Sequence, residues 1–308
     1  MSNNLQLRGV IPPFATPLSD GELDLLGVDR LVEHILEGGV DGLFLLGTTG
    51  EGPSLTVRQR YHLIERVCET NRQRVPVLCA ISDPSLGEAI ELAEHAHGAG
   101  AHAVVSAGPY YLPISQQQLA AYCFELADRS PLPVVLYNMP SCTKLTFDMA
   151  TVEQLADHPN IVGVKDSSGD MDYFYELVDR FGDAEFSLLI GPEENLARAM
   201  LCGGDGGVCG GGNLFPQLYV RIVAAARDGD RQRLNALQSL VEEVFATIYF
   251  VGDHHPTRIL QGVKAALFGL GVCSAEMAPP IAPLADEQLE RVAAAARAMR
   301  SRVEAAVV

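Results

Sequence analysis

The sequence predicts an α/β protein in which a (β/α)8 TIM barrel is followed by three additional helices. Short apolar stretches alternate with amphipathic helical patterns eight times over the first 228 of the 308 residues. The rhythm then changes to long helical patterns with no strands between them. Strands joined by crossover helices run parallel, and eight such units can close into a barrel. We therefore predict a barrel over residues 1–228 and a helical extension packed on it over residues 229–308.

Eight apolar stretches bounded by turn residues are the predicted strands. They are Gly9–Pro17, Asp41–Gly47, Val75–Ile81, Ala103–Ala107, Pro133–Asn138, Ile161–Lys165, Phe186–Ile190 and Gly207–Gly210. The first contains two prolines, and the last has the weakest strand pattern. An open doubly wound sheet is the alternative architecture. The glycine-rich first turn of that fold is missing after the first strand, which favours the barrel.

Helical periodicity predicts the helices. They include Leu23–Glu37, Thr56–Thr70, Ser85–Gly98 and Gln116–Asp128 in the barrel, and Asp230–Val251, Pro256–Leu270 and Asp286–Ala306 beyond it. In barrel proteins the active groups gather at the carboxyl ends of the strands. This rule places six polar side chains around one mouth of the barrel: Thr48, Thr49, Tyr110, Tyr111, Tyr137 and Lys165.

Composition narrows the class of protein. With 48% hydrophobic and 20% charged residues the chain is globular. No apolar run reaches the ~18 residues that a membrane span needs, and the first residues lack a signal-peptide pattern. We therefore expect a cytoplasmic protein without membrane contact. A net charge of −17 argues against a nucleic-acid partner, because phosphate binding requires a basic surface.

The sequence offers no recognisable metal site. Its seven cysteines are scattered and include no CxxC pair, so we expect reduced thiols that mostly fill the core. The pair His254-His255 has no carboxylate or cysteine at ligand spacing nearby. We expect no metal and no other cofactor.

Lys165 stands out because it interrupts the apolar strand IVGVKDSSGD, which begins at Ile161. Lysine is rarely fully buried unless other groups hold it there. Removal from water disfavours the ammonium form, so a buried lysine can present the neutral amine that attacks a ketone carbon. The alternative is a lysine at a strand end whose amine extends to solvent.

Two further motifs follow neighbouring strands. In GTTGE, Gly47–Glu51, the glycines allow a sharp turn in which the amides of Thr48 and Thr49 can hold a carboxylate. Tyr137 ends the strand before that of Lys165, where a phenol can act as a general acid or base. The alternatives are an ordinary turn and an aromatic side chain that closes a layer of the barrel.

Three other stretches admit both structural and functional interpretations. Tyr110 and Tyr111 are adjacent and point to opposite sides, so at most one of them serves the pocket. Glu193 and Glu194 can contact sugar hydroxyls or form a solvated first helical turn. The glycine-rich run from Gly203 to Gly212 lacks the residues of a phosphate loop. Tight barrel closure, or close approach of the backbone to a small ligand, explains this run better.

Together these motifs resemble the dihydrodipicolinate synthase / N-acetylneuraminate lyase family of pyruvate-dependent class I aldolases. The matching pieces occur in the family's order and spacing: GTTGE at Gly47, PYY at Pro109, YNMP at Tyr137, GVKDSSGD at Gly163 and the glycine run that ends at Asn213. The resemblance covers nearly the whole chain, including the three extra helices.

The resemblance implies a role for each matching residue. Lys165 would form a Schiff base with pyruvate or another 2-oxo acid, Tyr137 would shuttle the proton, and Thr48 would relay it. Tyr111 would be lent by a neighbouring subunit of a homotetramer built as a dimer of dimers. The substrate-binding residues that we expect on this basis are Gly47, Thr48, Thr49, Gly191, Glu193 and Val208.

Departures from the family pattern limit the choice of substrate. Dihydrodipicolinate synthases carry an arginine two residues after YNxP, and here that position is Cys142. A thiol cannot replace a bidentate guanidinium, which argues against dihydrodipicolinate synthesis. The polar run and the Ser-Thr pair of N-acetylneuraminate lyases are matched only in part, with Gly211 and Gly212 in place of the pair.

We therefore expect a lyase that cleaves or forms a 2-oxo-3-deoxy sugar acid or a related 2-oxo acid. A Schiff-base dehydratase acting on a sugar acid is the alternative. A barrel that only binds a 2-oxo acid is a third hypothesis, and the presence of both Lys165 and Tyr137 speaks against it.

Overall fold

The computed structural model describes residues 5–250 and 255–307. Ten short strands occur in these ranges: β1 Gly9–Val10, β2 Leu18–Ser19, β3 Glu22–Leu23, β4 Leu43–Leu45, β5 Val77–Ala80, β6 Ala103–Ser106, β7 Val134–Asn138, β8 Ile161–Asp166, β9 Ser187–Ile190 and β10 Gly206–Gly207. Strands β2 and β3 form a separate antiparallel pair that the sequence pattern did not predict. The other eight strands form one parallel sheet in the order β1-β10-β9-β8-β7-β6-β5-β4.

The two ends of the sheet meet next to β1. Pro13 pairs in parallel with Phe44 of β4, and the Phe14 N–H donates to the Phe44 carbonyl at 2.8 Å. The prediction of a (β/α)8 barrel is thereby confirmed. The first regular strand is shorter than predicted, because Pro12 and Pro13 have no N–H to donate to a ladder.

In the described part of the chain, twelve α-helices surround or follow the strands: α1 Leu25–Glu37, α2 Val57–Asn71, α3 Leu86–Gly98, α4 Gln116–Arg129, α5 Pro140–Thr143, α6 Met149–Ala156, α7 Met171–Phe181, α8 Leu196–Cys202, α9 Pro216–Arg227, α10 Arg231–Val244, α11 Arg258–Gly269 and α12 Asp286–Val307. The helix predicted over Asp230–Val251 differs most. Its regular part ends at Val244 and continues as a π-helical turn over Phe245–Tyr249, while Val251 lies outside the described residues. A 3.6-residue hydrophobic period does not reveal such a local widening.

Close backbone packing explains the weak pattern of the last strand. A Cβ atom on Gly206 would lie only 2.0 Å from the carbonyl oxygen of Gly9 in β1. A Cβ atom on Gly211 would lie 1.9 Å from the hydroxyl of Tyr219. The glycines therefore serve tight closure, as the sequence suggested, and their lack of side chains hides the strand from a hydrophobicity pattern.

The C-terminal helices pack against the loops at the barrel mouth. Lys264 of α11 and the segment that follows it contact Glu51 in the loop after β4. The division into a barrel over 1–228 and an extension over 229–308 stays a prediction. Within residues 5–250 and 255–307, no helix has the length and apolar character needed to cross a membrane.

Candidate active site

Lys165 and Tyr137 are direct neighbours in the barrel. Tyr137 of β7 pairs with Lys165 of β8 in the parallel register. Lys165 is only 5% exposed, and its Nζ lies 4.1 Å from the ring centroid of Tyr137 and 4.6 Å from that of Phe44. The amine therefore lies between two aromatic rings, away from bulk water.

The next residue pair holds these two strand ends together. Asn138 pairs with Asp166, and its Nδ2 donates to the Asp166 carboxylate at 2.8 Å. The Ser168 N–H and hydroxyl donate to the same carboxylate at 3.1 and 3.0 Å. Burial raises the pKa of Asp166, and the hydrogen bonds from Asn138 and Ser168 oppose that rise. This cluster keeps Tyr137 and Lys165 in register.

The GTTGE loop brings a hydroxyl to Tyr137. Thr48 Oγ1 lies 3.3 Å from the Tyr137 hydroxyl. Thr48 and Thr49 are half-buried, and neither backbone N–H has a hydrogen-bond acceptor within the described part of the chain. Gly47 is required sterically, because a Cβ there would lie 2.6 Å from the ring of Phe44. The loop thus offers two amides without an acceptor in the described residues, and a hydroxyl beside the phenol.

A buried ion pair anchors the end of this loop. Glu51 has a φ of 55°, and Lys264 Nζ lies 3.0 Å from its Oε1. Ala278 N–H donates to Oε2 at 2.7 Å, and Lys264 also donates to the Glu276 carbonyl at 2.7 Å. Lys264 was not among the residues predicted for the site. A lysine within an apolar helical run was the available signal.

A cavity of about 250 Å³ opens beside Thr48 and Tyr137. Apolar side chains form much of its wall, among them Pro53, Ala107 and Met139. Its remaining polar lining includes Cys142, Tyr110 and Arg60. Arg60 was not predicted either, because it lies on α2 and only tertiary folding brings it to the mouth.

The two adjacent tyrosines occupy different environments. Tyr110 lines the cavity, and burial raises its pKa. Tyr111 is 89% exposed with a φ of 86° and does not line the cavity of its own chain. The expectation that at most one of the pair serves the pocket agrees with this geometry. In a single chain that residue is Tyr110, whereas the resemblance had pointed to Tyr111.

Glu193 is buried and does not form the solvated first helical turn that the sequence admitted as one alternative. Its carboxylate is buried and accepts hydrogen bonds from the Gly211 N–H at 2.7 Å and from the Tyr219 hydroxyl at 2.9 Å. Burial raises the pKa of Glu193 to about 7, although these hydrogen bonds lower it. Both oxygens accept hydrogen bonds from the protein, so Glu193 supports the segment after β10, and its contact with a substrate stays a prediction.

The two other predicted substrate-binding residues lie at neighbouring strand ends. Gly191 follows β9, and its N–H donates to the Asp166 carbonyl at 2.7 Å. Val208 follows β10, is buried, and donates its N–H to the Ile190 carbonyl at 2.8 Å. Their contact with a substrate stays a prediction.

Metal ligands do not cluster in the part of the chain that the structure describes, where no group of three or more His, Cys, Asp or Glu side chains could hold an ion. His255 is exposed and its Nδ1 lies 2.9 Å from the Thr257 hydroxyl. Its neighbour His254 lies outside the described residues.

A parallel barrel that carries an amine, a phenol and a threonine hydroxyl at its mouth belongs to the class of barrel enzymes that react with carbonyl substrates. A sequence profile of the dihydrodipicolinate synthetase family matches residues 6–299, and the chain belongs to this family.

Two curated relatives and one solved structure describe its position in the family. The putative 2-dehydro-3-deoxy-D-gluconate aldolase YagE of Escherichia coli is 36% identical over 234 residues, 75% of this chain and 78% of that protein. The 4-hydroxy-tetrahydrodipicolinate synthase of Polynucleobacter asymbioticus is 32% identical over 293 residues, 94% of each chain. The structure of dihydrodipicolinate synthase from Bacteroides thetaiotaomicron superposes with a TM-score of 0.91 at 42% identity, covering 95% of this chain and 98% of that one. The chain is accordingly a lyase of the class I aldolase type.

Proposed function

We propose that this enzyme cleaves, or in reverse forms, a 2-oxo-3-deoxy sugar acid or a related 2-oxo acid through a Schiff base on Lys165, with pyruvate and an aldehyde as the products. One observation carries the proposal: the buried Lys165 amine lies against Tyr137, and the Tyr137 hydroxyl lies 3.3 Å from Thr48 Oγ1. An amine beside a short chain of hydroxyls is what imine formation and proton transfer require.

The chemistry follows from these positions. The Lys165 nitrogen attacks the C2 carbonyl carbon of the substrate, and water leaves to give an iminium ion. The C3–C4 bond then breaks, and its electrons form an enamine with the iminium as acceptor. The proton of the C4 hydroxyl passes to Tyr137 and on through Thr48, which releases the aldehyde. Protonation of C3 and hydrolysis of the imine release pyruvate and restore Lys165. No step needs a metal or another cofactor.

We propose that the GTTGE loop binds the substrate carboxylate that lies next to the reacting carbonyl. The backbone amides of Thr48 and Thr49 have no acceptor within the described residues, and the Thr48 side chain lies beside Tyr137. Two such amides can bind a carboxylate oxygen despite the net charge of −17, because a local nest acts at short range.

Borohydride trapping tests the proposal. With pyruvate and borohydride the wild-type protein should gain one covalent adduct, and peptide mass mapping should place it on Lys165. A Lys165→Ala variant should gain none. A Tyr137→Phe variant should still be trapped but should turn over at least about 100-fold more slowly, because the proton acceptor is lost. Absence of an adduct on wild-type Lys165 contradicts the mechanism.

Product analysis separates the proposed aldol cleavage from the alternative dehydration of a sugar acid. Only cleavage releases pyruvate and an aldehyde in equal amounts. The relative named as a 2-dehydro-3-deoxy-D-gluconate aldolase supports cleavage of such acids. Cys142 argues against dihydrodipicolinate synthesis, since a thiol cannot hold a carboxylate with two parallel hydrogen bonds.

The proposal includes the assembly and the compartment. We propose a homotetramer in which Tyr111 of one chain completes the site of its neighbour. The 89% exposure of Tyr111, next to the 67% exposed Leu112, is consistent with a covered position in an assembly. All seven cysteines are free, which suits a reducing cytoplasm. Nucleic acids and membranes are not among the proposed partners.

A further inference from the structure

Arg60 is the only charged side chain among the described residues that line the cavity at the barrel mouth. The same cavity is lined by Thr48 and Tyr137. Lys165 does not itself line the cavity, but its neighbour Tyr137 does, so we place the carbons beyond C4 of the proposed substrate in this space. A charged group on the aldehyde side of a substrate would therefore meet Arg60.

The guanidinium of Arg60 is held in place without being neutralised. Its Nε donates to the Leu55 carbonyl at 3.1 Å and its Nη2 to the Pro53 carbonyl at 3.5 Å. Across residues 5–250 and 255–307, Nη1 has no hydrogen-bond acceptor and no carboxylate lies within 4.0 Å of the guanidinium. Two backbone contacts thus orient a cation whose remaining donors are free.

Among the described residues Arg60 has no carboxylate partner, unlike its neighbour Arg58 on the same helix. The chain has 39 acidic and 22 basic residues, so carboxylates are abundant. Arg58, two residues earlier on α2, pairs with Glu22 at 2.8 Å. Asp83 and Glu88 border an adjoining cleft together with Arg60, and neither forms an ion pair with it. The free donors of Arg60 are therefore available to an anion in the cavity.

Tyr110 offers a second donor on the same wall. It lines the cavity, and burial and the nearby Asp83 raise its pKa while Arg60 lowers it. The phenol therefore stays protonated at neutral pH and can donate to an anion. The apolar side chains around the two groups reduce solvent screening, which strengthens hydrogen bonds to a charged ligand.

We propose that Arg60, assisted by Tyr110, binds a second carboxylate at the aldehyde end of the substrate, so that this enzyme prefers dicarboxylic 2-oxo-3-deoxy acids. This inference rests on the proposed Schiff-base function and specifies its substrate class. Cys142 lies on the same cavity in place of the family's carboxylate-binding arginine. Arg60 supplies a guanidinium from a different helix, α2.

Two six-carbon 3-deoxy-2-oxo acids provide a matched comparison. One ends in a carboxylate and the other in a hydroxymethyl group, and pyruvate release is measured for both. The wild-type enzyme should favour the dicarboxylate in kcat/KM by about 10-fold or more, because hydrogen bonds to a charged group contribute substantially. Equal kcat/KM values for the two acids would overturn the inference.

Variants of Arg60 test its part in that preference. Arg60→Gln should reduce the ratio of the two kcat/KM values about 10- to 100-fold, mainly through a higher KM for the dicarboxylate. Arg60→Lys should give an intermediate ratio, because it keeps the charge without the planar fork. Arg58→Gln, on the same helix but outside the cavity, should leave the ratio unchanged.

The outcomes separate this inference from the function on which it rests. A ratio that is unaffected by Arg60→Gln, or equal losses for both acids, would overturn the role of Arg60. If borohydride and pyruvate give no adduct on Lys165, the Schiff-base function itself fails. Thermal unfolding shows whether each variant is folded. The ratio of the two kcat/KM values for the wild type is measured without any variant, so it tests the inference even if a variant does not fold.

Discussion

Glu193 shows how the surroundings of one side chain change its function. Its sequence neighbours Pro192 and Glu194 suggest a solvated helix start, yet the carboxyl group is buried against Gly211 and Tyr219. Removal from water disfavours the carboxylate form and raises the pKa of Glu193 to about 7, and the hydrogen bonds it accepts only partly offset this effect. Glu193 is therefore a pH-sensitive support for the glycine segment after β10.

A pH dependence of stability follows from this shift. The folded-state pKa of Glu193 is about 7, above the ordinary value of 4.5, so the folded protein retains a proton that the unfolded chain releases. The contribution of Glu193 is therefore fully present below about pH 4.5 and is lost as the pH rises towards about 7. Glu193→Gln does not titrate and should lack this loss.

Urea unfolding of both proteins at pH 5, 6 and 7 measures the effect. The unfolding free energy of the wild type should fall relative to that of Glu193→Gln by about 2 kcal/mol between pH 5 and pH 7. Glu194→Gln is the matched control, since Glu194 is exposed, and its difference from the wild type should not vary with pH. Parallel pH profiles for the wild type and Glu193→Gln would contradict the assigned shift.

At the scale of elements, the loop after β4 depends on a helix more than 200 residues away. The side chains of Glu51 and Lys264 are 0% and 1% exposed, and the backbone around Ala278 completes the hydrogen bonds of the carboxylate. Thr16 Oγ1 also donates to the Gly50 carbonyl at 2.6 Å. The conformation that holds Thr48 beside Tyr137 is thus supported from α11 and from the segment after β1.

Removing one member of the ion pair should be costly. Lys264→Met leaves the Glu51 carboxylate buried without its counterion, which should lower the unfolding free energy by about 3–5 kcal/mol. It should also lower kcat, because the loop that carries Thr48 loses its anchor. The double variant Glu51→Gln, Lys264→Met should recover much of the stability, since no unpaired charge remains.

Chemical denaturation and steady-state kinetics of the two variants and the wild type measure these effects. Lys144→Met is the matched control, because Lys144 is exposed and its amine donates only to the nearby Ser141 carbonyl at 2.8 Å. Its effect on stability should stay within about 0.5 kcal/mol. A loss for Lys264→Met no larger than that of Lys144→Met would show that the ion pair does not stabilise the fold.

At the scale of the whole molecule, the barrel mouth exposes a tyrosine, Tyr111, that makes no contribution to the cavity of its own chain. Tyr111 extends into solvent at a φ of 86°, next to the exposed Leu112, while Tyr110 lines the cavity of its own chain. A strained backbone that exposes two apolar side chains is uncommon unless something covers them. The proposed tetramer provides a neighbouring site for Tyr111.

Mixing two inactive variants tests whether Tyr111 acts in its neighbour's site. Lys165→Ala removes the amine, and Tyr111→Phe removes the hydroxyl lent to the neighbour. In a mixed pair, the chain with intact Lys165 receives an intact Tyr111 from the other chain. Joint refolding should therefore restore activity to about a quarter of the wild-type value for random pairing within closed dimers.

Each variant refolded alone is the control and should stay inactive or nearly so. Activity of the mixture no higher than the mean of the two controls would show that Tyr111 does not act across chains. Size-exclusion chromatography with light scattering on the same samples gives the number of chains per particle.

The local pattern predicted much of the barrel because its parallel strands are buried on both faces and read as apolar runs. It also placed Tyr137 and Lys165 on adjacent strands, since consecutive units of a barrel are neighbours in space. The prediction was weaker where glycines leave no side chains to form a hydrophobic pattern, as in β10, whose glycines pack against β1. It did not reveal the π-helical turn over Phe245–Tyr249 in the helical segment that begins near Asp230.

The sequence by itself determined the barrel, the family and the strand ends on which the candidate catalytic groups lie, because these follow from hydrophobic period and from short motifs. Only the tertiary structure decided that Lys264 meets Glu51, that Glu193 turns inward, and that Arg60 shares a cavity with Tyr137. Burial and the pairing of charges depend on groups far apart in the chain. No local pattern specifies which distant side chains will meet.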